Sequence, residues 1–214
     1  MLKVWGRKTS VNVQKVMWAV AELGLAHERI DAGGPFGKTD TPDYGAMNPN
    51  RLVPVVDDKG FILWESNAIV RYLANTYGLG TFAPTGPEDR ARADQWMDWA
   101  NSTPYPDIIP GLFVQFVRVT AADRNATTVA AAAKRAGAAL AILDQHLANR
   151  PFIGGNALTM ADIPTGALLY RYFTMPFDRP ALPNVEAYYQ HLTARKAYQD
   201  HVMIDWVAMK IPGA

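Results

Sequence analysis

The 214-residue chain has no cysteine. That excludes disulfides, Cys-based metal sites and a protein-borne cysteine nucleophile. Any thiol chemistry must take its sulfur from outside the protein. Neither sign of charge is in excess: 21 Lys and Arg stand against 20 Asp and Glu, a net charge of +1. A nucleic-acid binder would show a basic surplus or stripe. The four histidines, His27, His146, His191 and His201, lack metal-ligand spacing, and no metal is expected. No stretch approaches the ~18 apolar residues of a membrane span. The opening Met1-Leu2-Lys3-Val4-Trp5-Gly6-Arg7 has no signal-peptide pattern. A cytoplasmic protein with no membrane or nucleic-acid partner is expected. What remains is 49% hydrophobic and 19% charged, enough for a substantial core in one or two domains.

The chain changes character part-way. Leu2–Trp5 alternates as a short strand, and the spacing of Val13, Val16, Met17, Val20 and Leu23 predicts a helix closed by Gly24. Glu28-Arg29-Ile30 reads as a second strand and Asp31–Asn50 as a long loop. Val53–Val56 and Phe61–Trp64 read as strands joined by a hairpin turn at Asp57-Asp58-Lys59-Gly60. After Glu65-Ser66, Ile69, Val70 and Leu73 mark a helix ending at Gly78. This order predicts a mixed four-stranded sheet with helices packed on it. Leu79–Pro87, rich in Gly and Pro, reads as a linker. Only helices follow: Glu88–Ser102, a path kinked by Pro104, Pro106 and Pro110, Thr128–Leu147, Met160–Phe173, Val185 to about Arg195, and a last short one near Ala197. The expected organisation is an α/β domain over residues 1–78, a linker over 79–87 and an all-α domain over 88–214.

Three places carry chemistry. Ser10 precedes the first helix, with Asn12 two positions on. Either can cap backbone N–H groups, or donate to an anion held at the positive end of the helix. A thiolate is such an anion, and stabilising it lowers a thiol pKa from ~8.5. Val53-Pro54 joins the long loop to a strand; a cis bond there would leave the Val53 backbone free for a ligand, and the sequence leaves the isomer open. Glu65-Ser66 stands at a strand-to-helix junction. It serves as a cap with a solvated neighbour, or as a pair holding the carboxylate and ammonium of an amino-acid head. Thr159-Met160-Ala161-Asp162 is a capping-box pattern with Asp in the last place. Tyr105, Phe113 and Trp206 are candidates for an apolar pocket.

Together these segments resemble the cytosolic glutathione transferases over essentially the whole chain. The resemblance rests on four features in order: Ser10-Val11-Asn12, Asn48-Pro49-Asn50-Arg51-Leu52-Val53-Pro54, Trp64-Glu65-Ser66-Asn67-Ala68-Ile69-Val70-Arg71-Tyr72-Leu73, and Leu158-Thr159-Met160-Ala161-Asp162. It implies a thioredoxin-like N-terminal domain, glutathione as co-substrate and a homodimer. Ser10 matches the activating hydroxyl of the theta, delta and bacterial nu-like classes, and Asn12 an asparagine of the nu-like class. Val53, with Pro54 cis, would pair its backbone with the glutathione cysteine. Glu65 and Ser66 would hold the γ-glutamyl end, and Arg51, assisted by Asn50, the glycine carboxylate. The implied activity is attack of the glutathione thiolate on a small hydrophobic electrophile or a disulfide. Disulfide reduction, isomerisation, ether cleavage and a non-catalytic scaffold role are the alternatives on the same fold. The first turn has neither the tyrosine nor the cysteine of other classes. The resemblance gives the basic Arg7-Lys8-Thr9 of this turn no role, and Thr9 is a competing hydroxyl beside Ser10.

Overall fold

The computed structural model describes residues 1–214. Strand β1 (Leu2–Trp5), helix α1 (Val11–Glu22) and strand β2 (His27–Ile30) form a parallel βαβ unit. Strands β3 (Val55–Asp58) and β4 (Phe61–Trp64) form an antiparallel hairpin, and β3 pairs antiparallel with β1. The sheet is therefore mixed, in the order β2-β1-β3-β4. Helix α3 (Ser66–Tyr77) follows β4. The hairpin turn is shorter than the sequence reading has it. Asp57 and Asp58 pair with Ile62 and Phe61, which leaves only Lys59 and Gly60 in the turn. Their positive φ values, 57° and 95°, suit a tight hairpin. The expected loop over 31–50 contains a short helix, α2 (Pro42–Met47). Pro42 opens it, and Thr41 Oγ1 accepts from the Tyr44 N–H at 3.3 Å.

The second half is helical: α4 (Pro87–Ser102), α5 (Pro104–Pro106), a π-helical segment Asp107–Phe113, α6 (Val114–Val117), α7 (Ala126–His146), α8 (Asp162–Thr174), α9 (Pro183–Thr193) and α10 (Lys196–His201). The prolines expected to kink the chain are built into this path. Pro110 lies inside the π segment, where its missing N–H removes one ladder bond. Helix α7 corrects one sequence expectation. Its 21 residues reach a mean hydropathy of 1.2 over an 18-residue window, enough by length and composition to cross a membrane. Its buried stripe, Ala132, Ala136, Leu140 and Leu143, instead belongs to the core of the helical half.

Helix α1 joins the two halves because it is apolar on more than one side. Val13, Val16, Met17 and Val20 pack with Leu2, Val4 and Val56 of the sheet and Ile69 and Leu73 of α3. Val11, Trp18 and Ala19 belong to the larger core of the helical half. Trp18 is fully buried, meets Tyr198 edge-on at 4.9 Å and donates to Glu22. A Cβ on Gly166 would come within 2.7 Å of its ring, so glycine lets α8 approach this closely. Glu22 and Arg195 form an ion pair across the same joint. These contacts fix the C-terminal half of α1 against the helical half.

Candidate active site

The capping box is realised in part. Asp162 Oδ2 accepts from the Thr159 N–H at 2.8 Å, as the pattern requires. The Thr159 hydroxyl, however, turns to the same carboxylate at 3.3 Å and caps no helix N–H. Asp162 Oδ1 accepts from the Ile153 N–H at 2.8 Å and the Tyr188 hydroxyl at 3.0 Å. The pattern thus marks a buried structural hub, away from the cavity described next.

An open cleft of about 410 Å³ lies between the two halves, a size usual for ligand sites. Its sheet-side wall comes from the turn after β1 and the start of α1, with Arg7, Thr9, Ser10 and Asn12, and from Arg51, Leu52 and Val53 before β3. Its helical wall comes from Tyr105, Ile109, Phe113, Arg171 and Met209.

Ser10 occupies the N-cap position of α1 in extended backbone geometry, φ −79° and ψ 124°. Its side chain makes no capping bond. The hydroxyl is thus left beside the first-turn N–H groups, facing the cleft it lines. Asn12 does not cap either; its Oδ1 accepts from the Ser66 hydroxyl at 3.4 Å. That bond ties α1 to the start of α3 and sets Ser66 next to the cleft, although neither Glu65 nor Ser66 is among its lining residues.

The Glu65-Ser66 junction differs from the capping reading of the sequence. Ser66 is the first residue of α3, and Glu65 stands before it with φ 71° and ψ 111°. A non-glycine residue in that region is costly, and such geometry clusters at ligand sites. Ser66 is buried and Glu65 exposed. The Val53-Pro54 bond is cis. Val53 lines the cleft and Pro54 is buried behind it. Arg51, at φ 55°, folds back over Gly45 and donates to the Thr39 and Thr41 carbonyls at 3.1 and 3.0 Å. Asn50 is exposed and lies off the cleft; its N–H donates to Asn48 Oδ1 at 3.0 Å.

On the helical wall, Tyr105 and Phe113 line the cleft as expected, and Trp206 does not. Trp206 is buried behind Phe113, edge-on at 5.8 Å, with its indole N–H donating to Thr174 Oγ1 at 2.9 Å. It supports the wall. Arg7, Ile109, Arg171 and Met209 are lining residues that sequence reasoning missed. The basic turn Arg7-Lys8-Thr9 carried a signal for Arg7. Nothing local marked the other three.

Two buried cations stand at α1, one on it and one reaching it from α8. Lys15 is fully buried and donates to Asn101 Oδ1 at 2.9 Å. Burial lowers its pKa to about 7, while nearby Glu65 pulls it up. Arg171 reaches from α8 to donate to Gln14 Oε1 at 2.9 Å and to the Thr9 carbonyl at 2.8 Å. Burial lowers its pKa to about 10, against the pull of neighbouring tyrosines.

Comparison with known proteins identifies the family. Residues 1–75 match the model "Glutathione S-transferase, N-terminal domain", and residues 126–191 match "Glutathione S-transferase, C-terminal domain". Glutathione S-transferase GstB of Escherichia coli is 40% identical over 206 residues, which span 95% of this chain and 99% of that one. The chain belongs to the glutathione S-transferase family. Glutathione S-transferase 3 of Zea mays is 30% identical, with 94% of this chain and 93% of the maize protein covered. Among solved structures, the theta class enzyme of Xanthomonas axonopodis pv. citri with glutathione bound superposes with a TM-score of 0.89. It is 44% identical and covers 95% of this chain and 98% of its own. The transferase BmGSTD1 of Bombyx mori gives 0.84 at 27% identity, over 94% and 93%. The mixed sheet followed by a helical domain is thus the glutathione transferase fold.

Proposed function

We propose that this chain is a glutathione transferase that holds the tripeptide across the cleft and stabilises its thiolate at Ser10. The observation that carries the reading is the Ser10 hydroxyl. It is free of any capping bond, sits at the positive end of α1 and shares one cleft with Val53 and Arg51. In this reading the backbone of Val53 pairs with the cysteine residue of glutathione. Arg51 meets the glycine carboxylate, and Asn50 assists from the surface. Glu65 takes the γ-glutamyl ammonium, and the Ser66 hydroxyl with the first N–H groups of α3 takes its carboxylate. Asn12 shares the donor role at sulfur. The thiolate then attacks an electrophile held against Tyr105, Ile109 and Phe113, and proximity makes that step effectively unimolecular. The working form is a cytoplasmic homodimer.

Titration calorimetry with glutathione tests the assignment. Wild type binds, and Glu65→Ala loses on the order of 1.5–3 kcal/mol, the value of one hydrogen bond to a charged group. Equal affinity in the two proteins sinks the head-group assignment.

A further inference from the structure

The cleft is far more cationic than the molecule that carries it. Over the whole chain the charges nearly cancel, at +1. Yet the cleft lining holds Arg7, Arg51 and Arg171 and no Asp or Glu. A second depression of about 450 Å³ adjoins it, sharing Arg7, Thr9, Gly34 and Met209, and adds Lys8, Arg118 and Lys210, again with no carboxylate side chain. Glutathione, as placed above, puts a carboxylate on Arg51 alone.

The remaining arginines have no counter-ion. Neither Arg7, Arg118 nor Arg171 forms an ion pair with any carboxylate of the chain. Arg171 is only 3% exposed, and its Nε is buried with no hydrogen-bond partner. Its guanidinium lies over the Phe113 ring at 4.7 Å. Arg7 lies against the Gly33-Gly34 turn, where a Cβ would come within 3.1 Å and 3.2 Å of its side chain. Both glycines have positive φ, 77° and 57°, so the turn that makes room for Arg7 is itself a glycine conformation. Arg118 and Arg171 each repel Arg7 closely enough to bear on its titration or theirs. Unpaired like charges in a half-buried site are costly, and an anion placed among them offsets that cost.

We propose that the second substrate of this transferase is an anion: an electrophile with an apolar or aromatic body and a carboxylate, the body against Tyr105, Ile109 and Phe113 and the carboxylate between Arg7 and Arg171, with Arg118 at the outer edge. The inference rests on the transferase reading above and narrows its co-substrate from a hydrophobic electrophile to an anionic one. The chemistry is a plain substitution. The glutathione thiolate forms the new C–S bond, and the leaving group, a halide for example, departs with the electrons of the broken bond. The thiol proton goes to solvent and nothing is oxidised or reduced.

The matched probes are 4-chloro-3-nitrobenzoate and 4-chloro-3-nitrobenzamide, with unreactive 3-nitrobenzoate and 3-nitrobenzamide for binding. Calorimetry on the glutathione-loaded protein is expected to show the benzoate bound at least tenfold more tightly than the benzamide. Arg7→Met should reduce that preference about tenfold, and Arg118→Met by a smaller factor. Arg7 makes no side-chain hydrogen bond, so its loss leaves the fold's bonding intact. Turnover of the chloro compounds, each divided by its uncatalysed rate with glutathione, should show the same order in kcat/KM. Equal binding of benzoate and benzamide by wild type, or an unchanged preference in Arg7→Met, overturns the proposal. Preferential benzoate binding without turnover of either chloro compound supports the anion site and counts against the transferase reading. If glutathione itself does not bind, that reading fails, and the same benzoate–benzamide comparison on the unloaded protein still decides the anion site.

Discussion

In the function proposed above, Ser10 and its neighbours set the reactivity of the sulfur that the cleft receives. The hydroxyl stands beside the unpaired first-turn N–H groups of α1, and both favour negative charge there. Arg171, bonded to the Thr9 carbonyl, adds a buried positive charge one residue away. The expected outcome is that bound glutathione ionises well below the free thiol value of ~8.5. One charge-assisted hydrogen bond of ~1.5–3 kcal/mol corresponds to about one to two pKa units. Ser10→Ala should therefore raise the pKa of bound glutathione by about one unit or more and slow attack near neutral pH. Affinity should change much less, because in the proposed arrangement Arg51, Glu65 and Ser66 still hold the two ends. Asn12 gives its Oδ1 to Ser66 and keeps its amide N–H for the donor role proposed at sulfur, so Ser10→Ala with Asn12→Ala should exceed either single change. Thiolate absorbance of the complex against pH reads this directly. A titration unmoved in all three variants would place activation elsewhere, with Arg171 next in line.

At the scale of the element, periodicity and turn residues located α1 and α3 well, because each has a clear apolar stripe and a Gly just past its end, Gly24 and Gly78. What the sequence hid has a physical cause in each case. Helix α2 is six residues long, too short to show a period, and only its Thr41-Pro42 start marks it. The far wall of the cleft comes from the π segment, from α8 and from Met209, which meet only through tertiary packing. An aromatic such as Trp206 looks the same in sequence whether it faces a ligand or backs the residue that does. The Asp162 hub was legible as a cap, but not as the acceptor for Ile153 and Tyr188. Asp162→Ala leaves buried donors at Ile153, Thr159 and Tyr188 without their acceptor, so it should cost about 3 kcal/mol or more in urea unfolding. Burial raises the Asp162 pKa from 3.8 to about 6, against the pull of those same hydrogen bonds. The stability that this titration contributes is present in full below pH 3.8 and is lost as pH rises through about 6. The margin of wild type over Asp162→Asn should accordingly narrow from pH 4 to pH 7. A margin that stays flat or widens over that range would rule out a carboxyl with a raised pKa.

At the scale of the whole molecule, the sheet ends in an uncovered edge. Strand β4 lies at one end of the order β2-β1-β3-β4 and pairs with β3 alone. The same edge carries apolar side chains in the open: Phe61 is 49% exposed and Ile62 36%. The Phe61 ring lies 5.0 Å from that of Tyr72 on α3, tilted by 44°. Natural sheets blunt such edges with charge, proline or a covering element, and β4, Phe-Ile-Leu-Trp, has none of these of its own. A twofold dimer that lays α3 and β4 against a second copy would cover the edge and the apolar patch together. Light scattering at micromolar concentration is therefore expected to give about twice the 23.6 kDa chain mass. Because a twofold interface repeats every contact, Phe61→Glu places two desolvated carboxylates in it, and the mass should fall toward that of one chain. The far-ultraviolet circular dichroism of that variant should remain that of the folded protein, since Phe61 lies outside the buried core. A wild-type mass of 23.6 kDa would refute the dimer, and a Phe61→Glu variant that stays dimeric would move the interface away from β4.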